Sequence, residues 1–263
     1  MIATIRGELV KLLRRRVLVI TALTTLVFSV ASAAIVLISA DDGVRRVTSG
    51  RGVTVQSLSN AGGGTDVFTT AVSFAGVFVF VVFIGIFAME FSRGTFRTML
   101  VYQPRRIRLL AGKLTALLAF SATVLAAAEV VTWIAARILA PTQDVSTGSW
   151  VSADAIGQAF SDYGSVLFWV SGYALLGAAL AVVVRSVPIA LAIGIAWAGP
   201  FEHIVQDAWG AASRFFPGLL LEAFVAGGTA DVSAERAGLT VAAYLAVAAA
   251  IAGTTFARRD VTA

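Results

Sequence analysis

The sequence predicts an all-α integral membrane protein. Six transmembrane helices are expected, with an amphipathic interfacial helix at the N-terminus, a cytoplasmic helical segment between spans 2 and 3, and a broken or re-entrant fifth span. Three observations predict this class. Hydrophobic residues make up 58% of the chain and charged residues 13%, against about 25% charged in a soluble domain. Mean hydropathy is +0.88, and 263 residues hold roughly six spans of about 20 residues with little left for a soluble domain. The arginines gather at the ends of the apolar runs, where positive charge sets orientation. That clustering assigns the net charge of +5 to topology and not to nucleic acid.

The elements follow in order. In residues 1–16, Ile2, Ile5, Leu9, Leu12 and Leu13 recur at helical spacing, with Arg6, Glu8, Lys11, Arg14 and Arg15 on the other face. This is an amphipathic helix for the membrane interface; a plain basic anchor is the simpler alternative. Span 1 occupies 17–40. Its start resembles a signal peptide, but the apolar run is too long for one. Residues 41–66 form a polar loop with Asp41-Asp42-Gly43 and a flexible Gly62-Gly63-Gly64. Span 2 is 67–89, the basic segment is 90–113, and span 3 is 114–139. Residues 140–164 are acidic and polar, with a short surface helix expected at 153–160. Span 4 is 165–184 and closes in the turn Arg185-Ser186-Val187-Pro188. Span 5, 187–213, is interrupted at Gly199-Pro200, as in a broken helix. Span 6 is 237–257 and ends at Arg258-Arg259.

Charge orients the chain. With both termini inside, the cytoplasmic segments hold Arg6, Lys11, Arg14, Arg15, Arg16, Arg93, Arg97, Arg105, Arg106, Arg108, Lys113, Arg185, Arg258 and Arg259, fourteen of the twenty basic residues. Arg45, Arg46, Arg51, Arg137, Arg214 and Arg236 fall outside. The bias predicts an even number of spans and cytoplasmic termini. Lys supplies only two of the twenty basic residues and Ala is abundant, a composition that points to a high-GC bacterium and its cytoplasmic membrane.

Motifs for chemistry are missing. There is no Cys, so disulfides and thiolate metal sites are excluded. Gly112-Lys113 is followed by Leu114 and lacks the glycine five residues before, so it is not a phosphate-binding loop. Neither a His-Glu-x-x-His motif nor a nucleophile elbow occurs, and His203 is the one His. No cofactor or metal is expected in this chain, and it is not expected to be an enzyme.

The 90–113 segment carries the most information. Glu90 ends span 2 and is expected to start a helix, where an acid suits the positive terminus. Gly94 permits a bend. Phe91, Phe96, Met99 and Leu100 give an apolar surface, and Arg93 and Arg97 stand one turn apart. Gln103-Pro104 stops the helix. Arg105, Arg106, Arg108 and Lys113 are then expected at the lipid headgroups. On these residues alone, a docking surface and an ordinary positive-inside loop stand level.

The order Glu90-Phe-Ser-Arg-Gly-Thr95-Phe-Arg-Thr-Met-Leu100, Gln103-Pro104-Arg105-Arg106 and Leu109-Leu-Ala-Gly-Lys113 resembles the signature of ABC-2 type transporter permeases. The likeness extends to the N-terminal helix, the six spans, the interrupted fifth span with an acidic residue, and Phe216-Pro217-Gly218. The resemblance implies a coupling helix at 90–102, docked on a separate ATP-binding subunit that holds ATP and Mg. It implies two permeases, identical or related, working with two ATPases around a cavity at the permease interface. Export of a hydrophobic or amphipathic drug, antibiotic or lipid follows from the same likeness. Two arginines, Arg105 and Arg106, compete for the family's basic position after the proline.

Three ionisable residues are candidates for a transport pathway: Glu129, Glu202 and His203. Glu129 is mid-span in span 3, where a charge faces a bundle interior or an aqueous path. It is either a pathway residue or a neutral carboxyl packed against a neighbour. Glu202 and His203 follow the Gly199-Pro200 break and either form a gate at the outer mouth or cap the turn. Two rival classes remain: a membrane-embedded enzyme using Glu129 or Glu202 and His203, and a non-transporting membrane anchor.

Overall fold

The computed structural model describes residues 1–40, 53–73 and 75–259. The Asp41-Asp42-Gly43 loop with Arg45, Arg46 and Arg51 lies outside the described residues. Among them the regular structure is helical, with one isolated antiparallel bridge between Gly228 and Ser233. The helices are α1 (Ile2–Leu12), α2 (Arg15–Ile38), α3 (Val55–Leu58), α4 (Gly63–Ser73), α5 (Gly76–Ser92), α6 (Thr95–Tyr102), α7 (Arg106–Leu139), α8 (Ala153–Val184), α9 (Val187–Ala196), α10 (Glu202–Ala208), α11 (Pro217–Val225) and α12 (Ala234–Arg258). Five stretches are long and apolar enough to cross a membrane: Arg15–Ile38, Arg106–Gln143, Ala153–Val184, Val187–Ala208 and Ala234–Arg258. The pair α4 and α5 makes a sixth if it is one broken span. This is the character of a multi-pass membrane protein.

Local chemistry explains the helices. α2 has no Pro or Gly, and its many β-branched residues are tolerated because a bilayer leaves the backbone no partner but itself. α7 runs unbroken between Pro104 and Pro141. α8 has no proline within it and ends at Arg185, which turns into the left-handed region (φ 58°) before Pro188.

Four sequence expectations change. Span 2 is not continuous: α4 and α5 are separate helices, and α4 begins at Gly63 and not near 67. Gly62-Gly63-Gly64 is not a flexible loop but a packed start of α4. A Cβ on Gly63 would run into the Leu58 carbonyl oxygen, and one on Gly64 would lie 2.6 Å from the Trp133 ring. The surface helix expected at 153–160 is the first part of α8, since no proline separates it from span 4. The fifth span does not stop at Gly199-Pro200. The backbone widens there into a π turn, Trp197–Phe201, that accommodates the missing N–H of Pro200, and α10 continues. The chain leaves this helix only at the 3₁₀ turn Gly210–Arg214 before α11.

The chain divides into two compact units. One comprises Met1–Leu12, Gly76–Phe120 and Trp169–Ala263. Within it α5 packs on α9, and α11 packs on α12. Glycines permit the close approach: a Cβ on Gly177 would lie 3.2 Å from the backbone N of Ile84, the small-residue packing that membrane helices favour. The other unit comprises Leu13–Ala75 and Ser121–Phe168. Its core gathers Ala33, Val36 and Leu37 of α2 with Leu58, Val67, Ala136 and Trp150. The Trp150 indole donates to the Leu58 carbonyl at 2.8 Å, which ties the segment before α8 to α3.

Gly63 and Gly85 give a paired test. Gly63→Ala is expected to destabilise the protein by about 1–3 kcal/mol through overpacking against backbone. Gly85→Ala has nothing within 4 Å of its new Cβ and is expected to change stability by no more than about 1 kcal/mol. Thermal unfolding of the two purified variants in detergent reads the difference.

Candidate docking surface and its brace

The basic segment splits at Gly94. This residue sits in the left-handed region (φ 66°, ψ 13°) between α5 and α6, a conformation that favours glycine. The sequence expectation of one helix from Glu90 is corrected accordingly. Glu90 lies in the last turn of α5, so its carboxylate does not serve a helix N-terminus. Arg93 precedes Gly94 and Arg97 lies in the first turn of α6, so they do not share one helix, although both are exposed.

Glu90 instead faces Lys113. The Lys113 Nζ donates to Glu90 Oε1 at 2.5 Å and to Glu8 Oε2 at 3.0 Å. Lys11 adds a contact to Glu8 Oε1 at 2.7 Å and stands 3.9 Å from Glu90. Two cations and two carboxylates therefore join α1, α5 and α7. The Lys113 side chain is 2% exposed, and its ammonium stands 5.6 Å from the Phe87 ring centroid. This differs from its expected place among lipid headgroups: carboxylates and an aromatic face take the place of water around the buried ammonium. Glu8, placed on the polar face of the N-terminal helix by periodicity, is the buried residue of α1, while Ile2 and Val10 are exposed. Gly112 completes the fit. A Cβ there would lie 3.1 Å from Thr4 Cβ, so glycine lets α1 lie against α7. Thr4 donates to Gln103 Oε1 at 3.0 Å nearby.

Burial opposes ionisation of Glu8, but hydrogen bonds from Lys11 and Lys113 and their charges outweigh it and hold the carboxyl below its ordinary range. A carboxylate lowered in the folded state adds stability above its unfolded pKa and loses it as the pH falls through the folded one.

α6 hangs on one side chain. Phe96 is fully buried and packs on Phe91 at 4.6 Å and on Phe256 of α12 at 5.1 Å between ring centroids. The Arg185 guanidinium stands over Phe91 at 5.4 Å. Thr95, Met99 and Leu100 are partly covered. Val101 and Tyr102 are 78% and 86% exposed. Arg93 and Arg97 are exposed as well, so the exposed residues of this segment mix basic, aliphatic and aromatic groups.

Arg105 and Arg108 are exposed. Arg106 turns inward and donates to the carbonyls of Arg259 at 2.6 Å and Phe256 at 3.4 Å. It thus satisfies acceptors left open at the C-terminus of α12. Arg259 in turn donates to the Val183 carbonyl at 3.1 Å near the end of α8. These side-chain to backbone clamps were not visible in the sequence, which showed only span ends rich in arginine.

Glu202, His203 and Glu129 have surroundings of their own. Glu202 is buried and accepts from the Trp197 indole at 2.6 Å and from the backbone N–H groups of Leu219 at 3.0 Å and Gly218 at 3.3 Å. Its carboxylate thereby closes the N-terminus of α11. His203 Nδ1 lies 3.0 Å from the Gly199 carbonyl, and its Nε2 lies 3.4 Å from Glu222, a partner that sequence reading passed over. Glu129 lines an apolar cavity in the other unit. Among the described residues no three His, Cys, Asp or Glu side chains converge to hold a metal ion. Comparison with protein-family models, curated proteins and solved structures finds no match to this chain.

Lys113→Met takes the buried cation from between Glu8 and Glu90, leaving Lys11 beside them, and is expected to destabilise by about 3–5 kcal/mol. The triple variant Lys113→Met, Glu8→Gln, Glu90→Gln is expected to recover most of that loss in thermal unfolding. The pH dependence should follow Glu8: wild-type stability falls as the pH drops below the ordinary carboxylate range, and Glu8→Gln flattens that part of the curve.

Proposed function

We propose that this chain is the transmembrane permease subunit of an ABC-2 type ATP-driven exporter in a bacterial cytoplasmic membrane, with both termini cytoplasmic. The observation that carries the reading is α6. It is a short helix set off by a left-handed glycine, fixed by buried Phe96, with Arg93, Arg97, Val101 and Tyr102 exposed. Arginine and tyrosine are enriched where proteins dock, and a lipid-anchored loop has no need of a buried aromatic pin.

The reading supplies a path for force. A partner ATPase, which holds ATP and Mg, docks on α6. Motion of α6 reaches α5 and α12 through the Phe91, Phe96 and Phe256 rings, and reaches α1 and α7 through Glu90 and Lys113. The functional unit pairs this permease with a second copy or a related permease. No side chain of this chain performs covalent chemistry. The engagement of Glu202 in capping α11 supports that view over a membrane enzyme.

Charge reversal tests the surface. Arg93→Glu with Arg97→Glu is expected to abolish co-purification of an ATPase from native membranes in mild detergent, while the chain still reaches the membrane. Retained co-purification would remove the docking claim. A partner that stays bound but whose ATP hydrolysis is unaffected by the permease would favour a non-transporting anchor. Topology is read in the Cys-free chain: Ser146→Cys should label from outside the cell and Thr98→Cys only from the cytoplasm.

A further inference from the structure

The unit formed by Leu13–Ala75 and Ser121–Phe168 contains a cavity of about 690 Å³. That volume suits a drug-sized molecule. Its wall is apolar and aromatic, with Trp133, Trp150, Phe160 and Tyr163 prominent. The polar tips of two of these rings are engaged elsewhere. Trp150 donates its indole N–H to the Leu58 carbonyl at 2.8 Å, and Tyr163 donates its hydroxyl to the Ala122 carbonyl at 3.0 Å. Both therefore line the cavity as hydrocarbon and π surface.

One charged side chain interrupts this wall. Glu129 lines the cavity, and its Oε1 is buried without a hydrogen-bond partner. Lys and Arg are absent among the described residues of the wall. Asp162 of α8, which accepts from Gln158 at 3.0 Å, is a second buried carboxyl of this unit. A buried acceptor left unmade is costly, and it becomes a recognition element once a ligand supplies the donor. The neighbouring indole is suited to the same ligand. The guanidinium of Arg137, two turns along α7, stands 5.2 Å from the Trp133 ring, so that ring already accepts a cation on its π system.

We infer that this cavity binds a lipophilic organic ammonium ion, its N–H donating to Glu129 and its apolar body lying against Trp133, Trp150 and Tyr163. The site is a property of the isolated chain. That its ligand is the exported compound rests on the transporter reading.

The test uses two probes of one shape, 1-pyrenemethylammonium and the neutral 1-pyrenemethanol, with saturable energy transfer from tryptophan to pyrene in the purified full chain. The ammonium is expected to bind at least about tenfold tighter, the scale of one charged hydrogen bond. Glu129→Gln should bring the two probes level. Ala159→Trp, which fills the cavity from α8, should abolish saturable binding of both and carries the test if Glu129→Gln does not fold. Equal affinity of the two probes for the wild type would mean a crevice for lipid chains only and would overturn the site. So would an ammonium preference that survives Glu129→Gln, or binding that survives Ala159→Trp. A chain that purifies without an ATPase would sink the transporter reading and leave a positive binding result standing, whereas equal binding would sink the site and leave that reading untouched.

Discussion

The ammonium of Lys113 joins three helices of its unit. It lies out of water between Glu8 and Glu90, so three helices distant in sequence meet at one nitrogen. Such a pair is a weak source of net stability, because burial of the charges offsets most of their attraction. What it supplies is geometry. An ammonium with carboxylates on two sides admits few arrangements, and α1, α5 and α7 must keep theirs for the charges to stay paired. Gly112 beside it removes the one Cβ that would hold α1 away. The Gly-Lys pair at the head of α7 thus has two distinct tasks, close approach and charge.

Around this brace the exposed part of the basic segment is small. Phe96 is the buried side chain of α6, Arg97, Val101 and Tyr102 of that helix are exposed, and Arg93 is exposed just before Gly94. On the proposed transporter reading, this arrangement would pass a push from α6 inward. The Arg106 side chain ties the start of α7 to the carbonyls at the end of α12.

The helical class and most spans were legible in the sequence because hydropathy and charge placement are local signals. Pro104 marked the stop of α6 and Pro188 the turn into α9 in the same way. The partners of Lys113 were not legible: Glu8 lies 105 residues away, and periodicity sees only a helix's own faces. The same limit put Glu8 on the solvent side of α1. The Gly62-Gly63-Gly64 run misled for a related reason. Three glycines read as freedom when nothing is known of their neighbours, whereas here Leu58, Trp133 and Trp150 occupy the space a side chain would need. The capping of α11 by Glu202 was partly legible as a turn cap, but its donors at Gly218 and Leu219 come from beyond the next turn.

The π turn at Trp197–Phe201 sets the phase of α10. The Glu202 N–H reaches back to the Trp197 carbonyl, one residue further than in an α-helix. One residue inserted into a helix rotates all later side chains by about 100°. The turn therefore acts as an indexing step that swings α10 until Glu202 meets the head of α11. Deleting one residue there would straighten the backbone and give a more regular helix. It would also turn the carboxylate away and leave two amides of α11 without their acceptor, so regularity at this point is incompatible with the fold.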